Sequence, residues 1–162
     1  MAQIKDTFGL SRVIEPRWSV PVTAWQLNNK KEISPTECRL SIELMHLERD
    51  CFQQLCSECG FDETKIIAKI MDLVKRRGKF HNPFTDTAGQ FYGTIEEMGQ
   101  DFAKHTHYKV GDKVLCLTTM TAHPLYLEKI HKIDYNYGAL TVTGYAIVFM
   151  DSPLSAIPPE LA

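Results

Sequence analysis

The chain has 162 residues, 44% of them hydrophobic and 23% charged, with a net charge of −2. Those proportions exclude a disordered segment, and 9 Gly and 8 Pro exclude a collagen-like or low-complexity one. With 18 basic against 20 acidic side chains there is no global field for a polyanion, and no apolar run approaches the ~20 residues of a membrane span, so neither a nucleic-acid nor a membrane partner is expected.

Residues 1–37 carry Pro16, Pro21 and Pro35 without a sustained period and read as an extended leader that packs Trp18 and Trp25 onto a core. From Cys38, the apolar Leu40, Ile42 and Leu44 alternate with Arg39, Ser41 and Glu43, which predicts a half-buried strand ending near Met45. Residues 51–77 change period. Phe52, Leu55, Cys56 and Cys59 fall at helical spacing up to Gly60; Asp62 then offers an N-cap to a second helix. That helix has a stripe of Ile66, Ile67, Ile70, Met71, Leu73 and Val74, and it ends in Lys75, Arg76, Arg77 and Gly78. Strand chemistry returns at residues 91–98, 113–120 and 139–150, separated by Gly and Asp turns. The fold class expected is mainly β with an inserted helical pair (α+β), a small barrel or strongly twisted sheet rather than a βαβ array. No G-x-G-x-x-G or G-x-x-x-x-G-K-[ST] cradle for a nucleotide occurs. The N-terminal residues lack the layout of a signal peptide, which makes a cytoplasmic location the expectation.

Five cysteines form an odd set, and a disulfide framework is not expected. Cys38 and Cys116 sit in alternating apolar runs as small core side chains. Cys51, Cys56 and Cys59 admit three readings: core packing, a metal site with His46, or a reactive thiol. The run Lys75, Arg76, Arg77 and Lys79, extended by His81, reads as a solvated helix end or as a grip for an anion. Thr85, Asp86 and Thr87 cluster polar side chains in a loop ahead of Gly89, where the backbone permits close approach.

Residues 82 to 114 resemble the GroES-like domain of the medium-chain dehydrogenase/reductase superfamily. The resemblance rests on Pro83, on the spacing of Gly93 and Gly99, and on the turn Lys109-Val110-Gly111-Asp112-Lys113-Val114. In that register Gly89 stands where zinc-dependent members carry a histidine, and Gln90 where they carry a glutamate. The resemblance therefore implies a partly open β-barrel over residues 38–150 without the catalytic zinc. A narrower resemblance covers nearly the whole chain. The leader Arg12-Val13-Ile14-Glu15-Pro16, Trp25, the inserted helix ending Lys75 to Lys79, and His81-Asn82-Pro83-Phe84-Thr85 are similar to the 3,5-diaminohexanoate dehydrogenase family of lysine fermentation.

That family oxidatively deaminates a diamino acid with a nicotinamide cofactor, NAD or NADP, held mainly by a Rossmann-type domain. No such domain is legible here, and residues 151–162 are expected to lead toward it, so the chain is not expected to be competent alone. The implied partners are that nucleotide-binding domain or subunit, a small amino-acid substrate, and a second copy of the chain. His81 is the expected proton relay, and Glu48 and Asp50 are the expected acid-base groups and ammonium acceptors. Asn82, Thr85 and Gln90 are the expected substrate contacts, with turn or capping bonds as the alternative for Asn82 and Thr85. Arg76 and Arg77 are secondary candidates for an anionic group. A GroES-like barrel that binds without catalysing is the rival reading.

Overall fold

The computed structural model describes residues 5–161. The leader contains a short antiparallel pair, β1 (Val13–Glu15) with β2 (Gln26–Leu27). Then follow β3 (Glu37–Leu47), the helices α1 (Arg49–Glu58) and α2 (Glu63–Arg77), β4 (Gly89–Met98) and a short α3 (Gln100–His105). The chain continues through β5 (Lys113–Cys116), β6 (Leu125–Asp134), β7 (Ala139–Phe149) and β8 (Leu154–Ala156). The main sheet has six strands in the order β6-β7-β3-β4-β5-β8, every neighbouring pair antiparallel. Its two outer strands do not pair with each other, so the sheet stays open. The molecule is thus mainly β with an inserted helical pair, as the sequence predicts.

Strand β3 lies at the centre of the sheet, paired over nearly its whole length with β7 on one edge and β4 on the other. Cys38, Leu40 and Ile42 are buried, and then Met45 and Leu47. The switch from even to odd positions coincides with a register shift between Ile42 and Leu44 on both partner strands. One extra residue there re-aims the following side chains, which is why Leu44 is only half-buried and the strand runs on to Leu47.

The helical pair forms where the sequence places it. The Asp62 carboxylate accepts from the Lys65 amide at 3.2 Å, and Gly78 closes α2 in the left-handed region at φ 66°. Ile66, Ile70, Leu73 and Val74 are buried against the sheet, each stabilising the fold by about 1.5–3 kcal/mol. Helix α1 begins earlier than its apolar spacing suggests, since Glu48 supplies its cap by accepting from the Cys51 amide.

The leader docks differently from expectation. Trp18 is 99% exposed and Trp25 half-exposed, so the tryptophans are not its anchors. Trp18 occupies a turn with φ 70° that holds it away from the sheet. A polar knot does the anchoring instead. The buried Arg12 guanidinium donates to both Glu37 carboxylate oxygens and to the carbonyls of Asn28, Lys30 and Glu32. At the other end of the chain, residues of the tail return to the sheet as β8, paired with β5. Among the described residues no helix is long and apolar enough to cross a membrane.

Candidate functional site

The loop between α2 and β4 is tightly built and lies beside a cavity. Lys79, Phe80, His81 and Asn82 are all buried. The Asn82 amide donates to the Thr87 carbonyl at 2.9 Å, and the Asp86 amide to the Asn82 carbonyl at 2.8 Å. The Asn82 side chain accepts from the Phe84 amide and donates to Gln54 Oε1 at 2.9 Å. Asn82 thus folds the loop and spends its side chain on that task. The resulting reversal, completed by Asp86 at φ 57°, brings the Asp86 carboxylate back onto His81, with Oδ1 2.6 Å from Nε2.

A carboxylate only accepts, so Nε2 carries the hydrogen and Nδ1 keeps its lone pair. Nδ1 is buried and has no hydrogen-bond partner among the described residues. Burial pushes the imidazole below its ordinary value; Asp86 opposes this, while the charges of Lys79 and Arg77 add to it. At neutral pH the ring is therefore an uncharged base with one orienting carboxylate.

Two adjoining cavities meet here. The smaller, about 250 Å³, is lined by Val22, Thr23, His81, Asp86 and Thr121. The larger, about 580 Å³, shares Val22, Asp86 and Thr121 and adds His46, Glu48, Arg49, Thr87, Ala88, Gly89, Gln90 and Thr119. The walls come from the leader, the β3–α1 junction, the start of β4 and the 3-10 turn Met120–Ala122. A more voluminous groove of about 870 Å³ lies between the helical pair and the β6–β7 turn, walled by aromatic Phe52, Phe61, Tyr135 and Tyr137. Without a contacting acid-base pair, that groove is a weaker candidate for proton transfer than the His81–Asp86 pair.

Of the expected residues, the structure gathers His81, Glu48 and Gln90 around these two cavities. Glu48 accepts from the Thr87 hydroxyl at 3.2 Å in addition to capping α1, and Gln90 donates to the Leu117 carbonyl. Asp50 is exposed on the first turn of α1 and lines neither cavity. The Thr85 hydroxyl is 2.8 Å from that of Thr87 and also lies outside the lining.

The cationic run splits, because successive residues of α2 point about 100° apart and Gly78 then turns the chain inward before Lys79. Arg76 is exposed and pairs with Asp72. Arg77 is buried, donating to the Trp25 and His81 carbonyls with its guanidinium over the Trp25 ring. Lys79 is fully buried and donates to the carbonyls of Pro21, Thr121 and, at 3.4 Å, Val22. It thereby ties together the leader and the 3-10 turn, which supply Val22 and Thr121 to both cavities. Burial and the Arg77 charge push its ammonium down to about 7, against a pull from Asp86.

Gly89 bears on metal chemistry. Its φ is +144°, and a Cβ there would sit 2.0 Å from the His46 carbonyl oxygen. A zinc-binding histidine at this position cannot be accommodated without moving β3. Gly89→His is expected to cost more than about 2 kcal/mol of stability and to create no zinc site, checked by thermal unfolding with metal analysis. Among the described residues no three His, Cys, Asp or Glu side chains gather to hold a metal.

Cys38, Cys51, Cys56 and Cys116 are buried and Cys59 is half-buried, all as free thiols. Cys116 has a polar neighbourhood its alternating pattern does not announce: its sulfur is 3.3 Å from His123 Nε2 and from the Thr118 hydroxyl. Burial pushes this thiol up, but His123 and Thr118 more than offset it and hold it below the ordinary range.

The profile of the L-erythro-3,5-diaminohexanoate dehydrogenase N-terminal domain matches residues 11–158. The L-erythro-3,5-diaminohexanoate dehydrogenase of Acetoanaerobium sticklandii is 33% identical over 155 residues, covering 96% of this chain and 45% of that protein. Its namesake from Fusobacterium nucleatum subsp. nucleatum is 32% identical over 154 residues, covering 95% and 45%. A solved structure, 2R,3R-butanediol dehydrogenase from Bacillus subtilis, aligns at TM-score 0.39 and 19% identity over 82% of this chain and 36% of that one. The chain spans about 45% of the length of the curated relatives it matches. The extent of these matches shows that the chain belongs to the L-erythro-3,5-diaminohexanoate dehydrogenase family, within the part described as its N-terminal domain.

Proposed function

We propose that this chain is the substrate-side, GroES-like part of a zinc-independent dehydrogenase that oxidatively deaminates a 3,5-diamino acid with NAD or NADP. The observation that carries the reading is the His81–Asp86 pair: an uncharged, buried imidazole, oriented by a carboxylate, at a cavity lined by polar side chains. Glu48 and Asp86 offer carboxylates to substrate ammonium groups, and Thr87, Thr119, Thr121 and Gln90 offer neutral hydrogen bonds. An amine must shed its extra proton before its carbon can be oxidised, and His81 is the base suited to take it near neutral pH. His81 then passes that proton to solvent, takes one from the water that adds to the resulting iminium carbon and hands it to the nitrogen, and the C–N bond breaks to release ammonia and leave the carbonyl.

A bound nicotinamide would accept the hydride. The described residues do not fit a dinucleotide, since no glycine-rich turn joins a strand to a helix here. A Rossmann-type domain or subunit is therefore the partner the reading requires. Zinc independence rests on the donor set, because the backbone at Gly89 leaves no room for an imidazole. Five unpaired thiols fit a reducing, cytoplasmic compartment. The same lack of a cradle favours a second reading, a barrel that binds substrate or a partner without catalysing.

Complementation tests this. The chain is mixed with the separately expressed remainder of a curated relative, either NAD or NADP, and 3,5-diaminohexanoate, and nicotinamide reduction is followed. Reduction is expected, falling about a hundredfold or more in His81→Ala. Undiminished reduction by His81→Ala would remove the proposed base, and no reduction with either cofactor would favour the binding subunit.

A further inference from the structure

An amino-acid substrate brings a carboxylate as well as ammonium groups, so its site needs a cation, and the cations expected from the sequence are committed elsewhere. Arg77 and Lys79 are buried on backbone carbonyls, and Arg76 pairs with Asp72 on the outer face of α2. Arg12 is bound to Glu37 and Arg39 to Glu96 and Glu97, while Arg17 lines a hollow of the leader. Arg49 is different. It is exposed, it lines both the larger of the two cavities and the neighbouring aromatic groove, and no ion pair or hydrogen bond engages its side chain among the described residues.

Its place in the fold gives it no other reward. Arg49 is the first residue of α1, where the positive end of the helix dipole disfavours a cation by a few tenths of a kcal/mol. Glu48 beside it is already held by the Cys51 amide and the Thr87 hydroxyl. The cavity therefore presents both signs of charge, positive from Arg49 and negative from Glu48 together with Asp86, with threonine hydroxyls and Gln90 between. A small zwitterion fits this distribution, whereas a simple diamine would leave the guanidinium unused and a simple acid would leave the carboxylates unpaired.

We propose that Arg49 is the specificity-determining residue that receives the substrate carboxylate, its guanidinium fork donating to both oxygens, so that this cavity selects amino acids over the corresponding amines. This rests on the reading of the cavity as a substrate site, and the test separates the two. Calorimetric titration compares 3,5-diaminohexanoate with the diaminopentane left when its carboxylate is removed, on the intact chain and on Arg49→Gln. Wild type is expected to bind the acid about ten- to a hundredfold more tightly than the diamine, the range of a charge-assisted contact. Arg49→Gln is expected to abolish that preference by weakening binding of the acid, without weakening the diamine or lowering thermal stability, and Arg49→Lys to keep part of it. If acid and diamine bind equally well to wild type, or the preference survives in Arg49→Gln, the assignment of Arg49 is wrong and the cavity reading stands. If neither ligand binds into the millimolar range, both the assignment and the reading beneath it fall.

Discussion

Arg12→Met is expected to destabilise the chain by about 3–5 kcal/mol, the range for removing one partner of a buried ion pair, read as a lowered midpoint in urea unfolding. Arg12 and Glu37 have side chains only 3% and 4% exposed, and the guanidinium uses its fork on both Glu37 oxygens and on three leader carbonyls. Losing it leaves a buried carboxylate held only by the Ser34 amide, together with three carbonyls short of a donor. Because those carbonyls belong to the leader, which also supplies Val22 to the cavities, the damage is expected to reach the site. Replacing both partners with apolar residues should cost less than replacing one. The pair also sets an acid limit. Burial pushes the Glu37 carboxyl up, and Arg12 with the Ser34 amide more than offsets this, so its value lies below the usual 4.5. The stability it contributes is present in full above that pH and is lost as pH falls through the lowered value.

Lys79→Met is expected to abolish a rise in stability that the wild type shows between about pH 7 and 10.5. The folded ammonium titrates near 7 and the unfolded one near 10.5, so between these values the unfolded chain binds more protons and stability climbs with pH. At 1.36 kcal/mol per unit the shift would supply about 5 kcal/mol at most, and water reaching the adjacent cavity reduces this to on the order of 2–3 kcal/mol. The thiols of Cys51 and Cys38, raised to about 11 and about 12 by burial, work the other way at the top of the window. The informative quantity is therefore the difference between wild type and Lys79→Met in urea unfolding at a series of pH values. A constant difference would show that Lys79 stays charged throughout.

The elements with regular periods are readable from the chain. Helix α2 announces itself by its apolar stripe, by Asp62 and by Gly78, all local features, and β7 and the first half of β3 by alternation. Strand β6 is not foreseen for a physical reason. Its buried residues are Leu125, Leu127, Ile130 and Ile133, because register shifts after Leu127 and Ile130 stretch the two-residue period to three. Strand β5 is shorter than its apolar run: Thr118 and Met120 leave the sheet for a side-chain contact and a 3-10 turn.

The site divides along the same line. His81 and the polar loop are visible in sequence, and so is Gln90 through the family register. The pairing of Asp86 with His81 depends on a reversal locked by Asn82, which composition alone does not specify. Val22 and Thr121 arrive from segments about a hundred residues apart, joined by a lysine whose neighbours in sequence suggest solvent. Burial of a cation is decided by which carbonyls surround it, and no local pattern encodes that. Arg49 escapes notice for the opposite reason, since a lone arginine beside two acids reads as ordinary surface.

The central claim is that the two cavities beside His81 form the substrate site. Amide and imidazole chemical-shift mapping of the isotope-labelled chain during titration with 3,5-diaminohexanoate tests it most directly. The account predicts shifts concentrated at Val22, at Thr87 to Gln90, at Thr119 to Thr121 and on the His81 ring. Shifts confined to the aromatic groove of Phe61 and Tyr137, or none into the millimolar range, would contradict it.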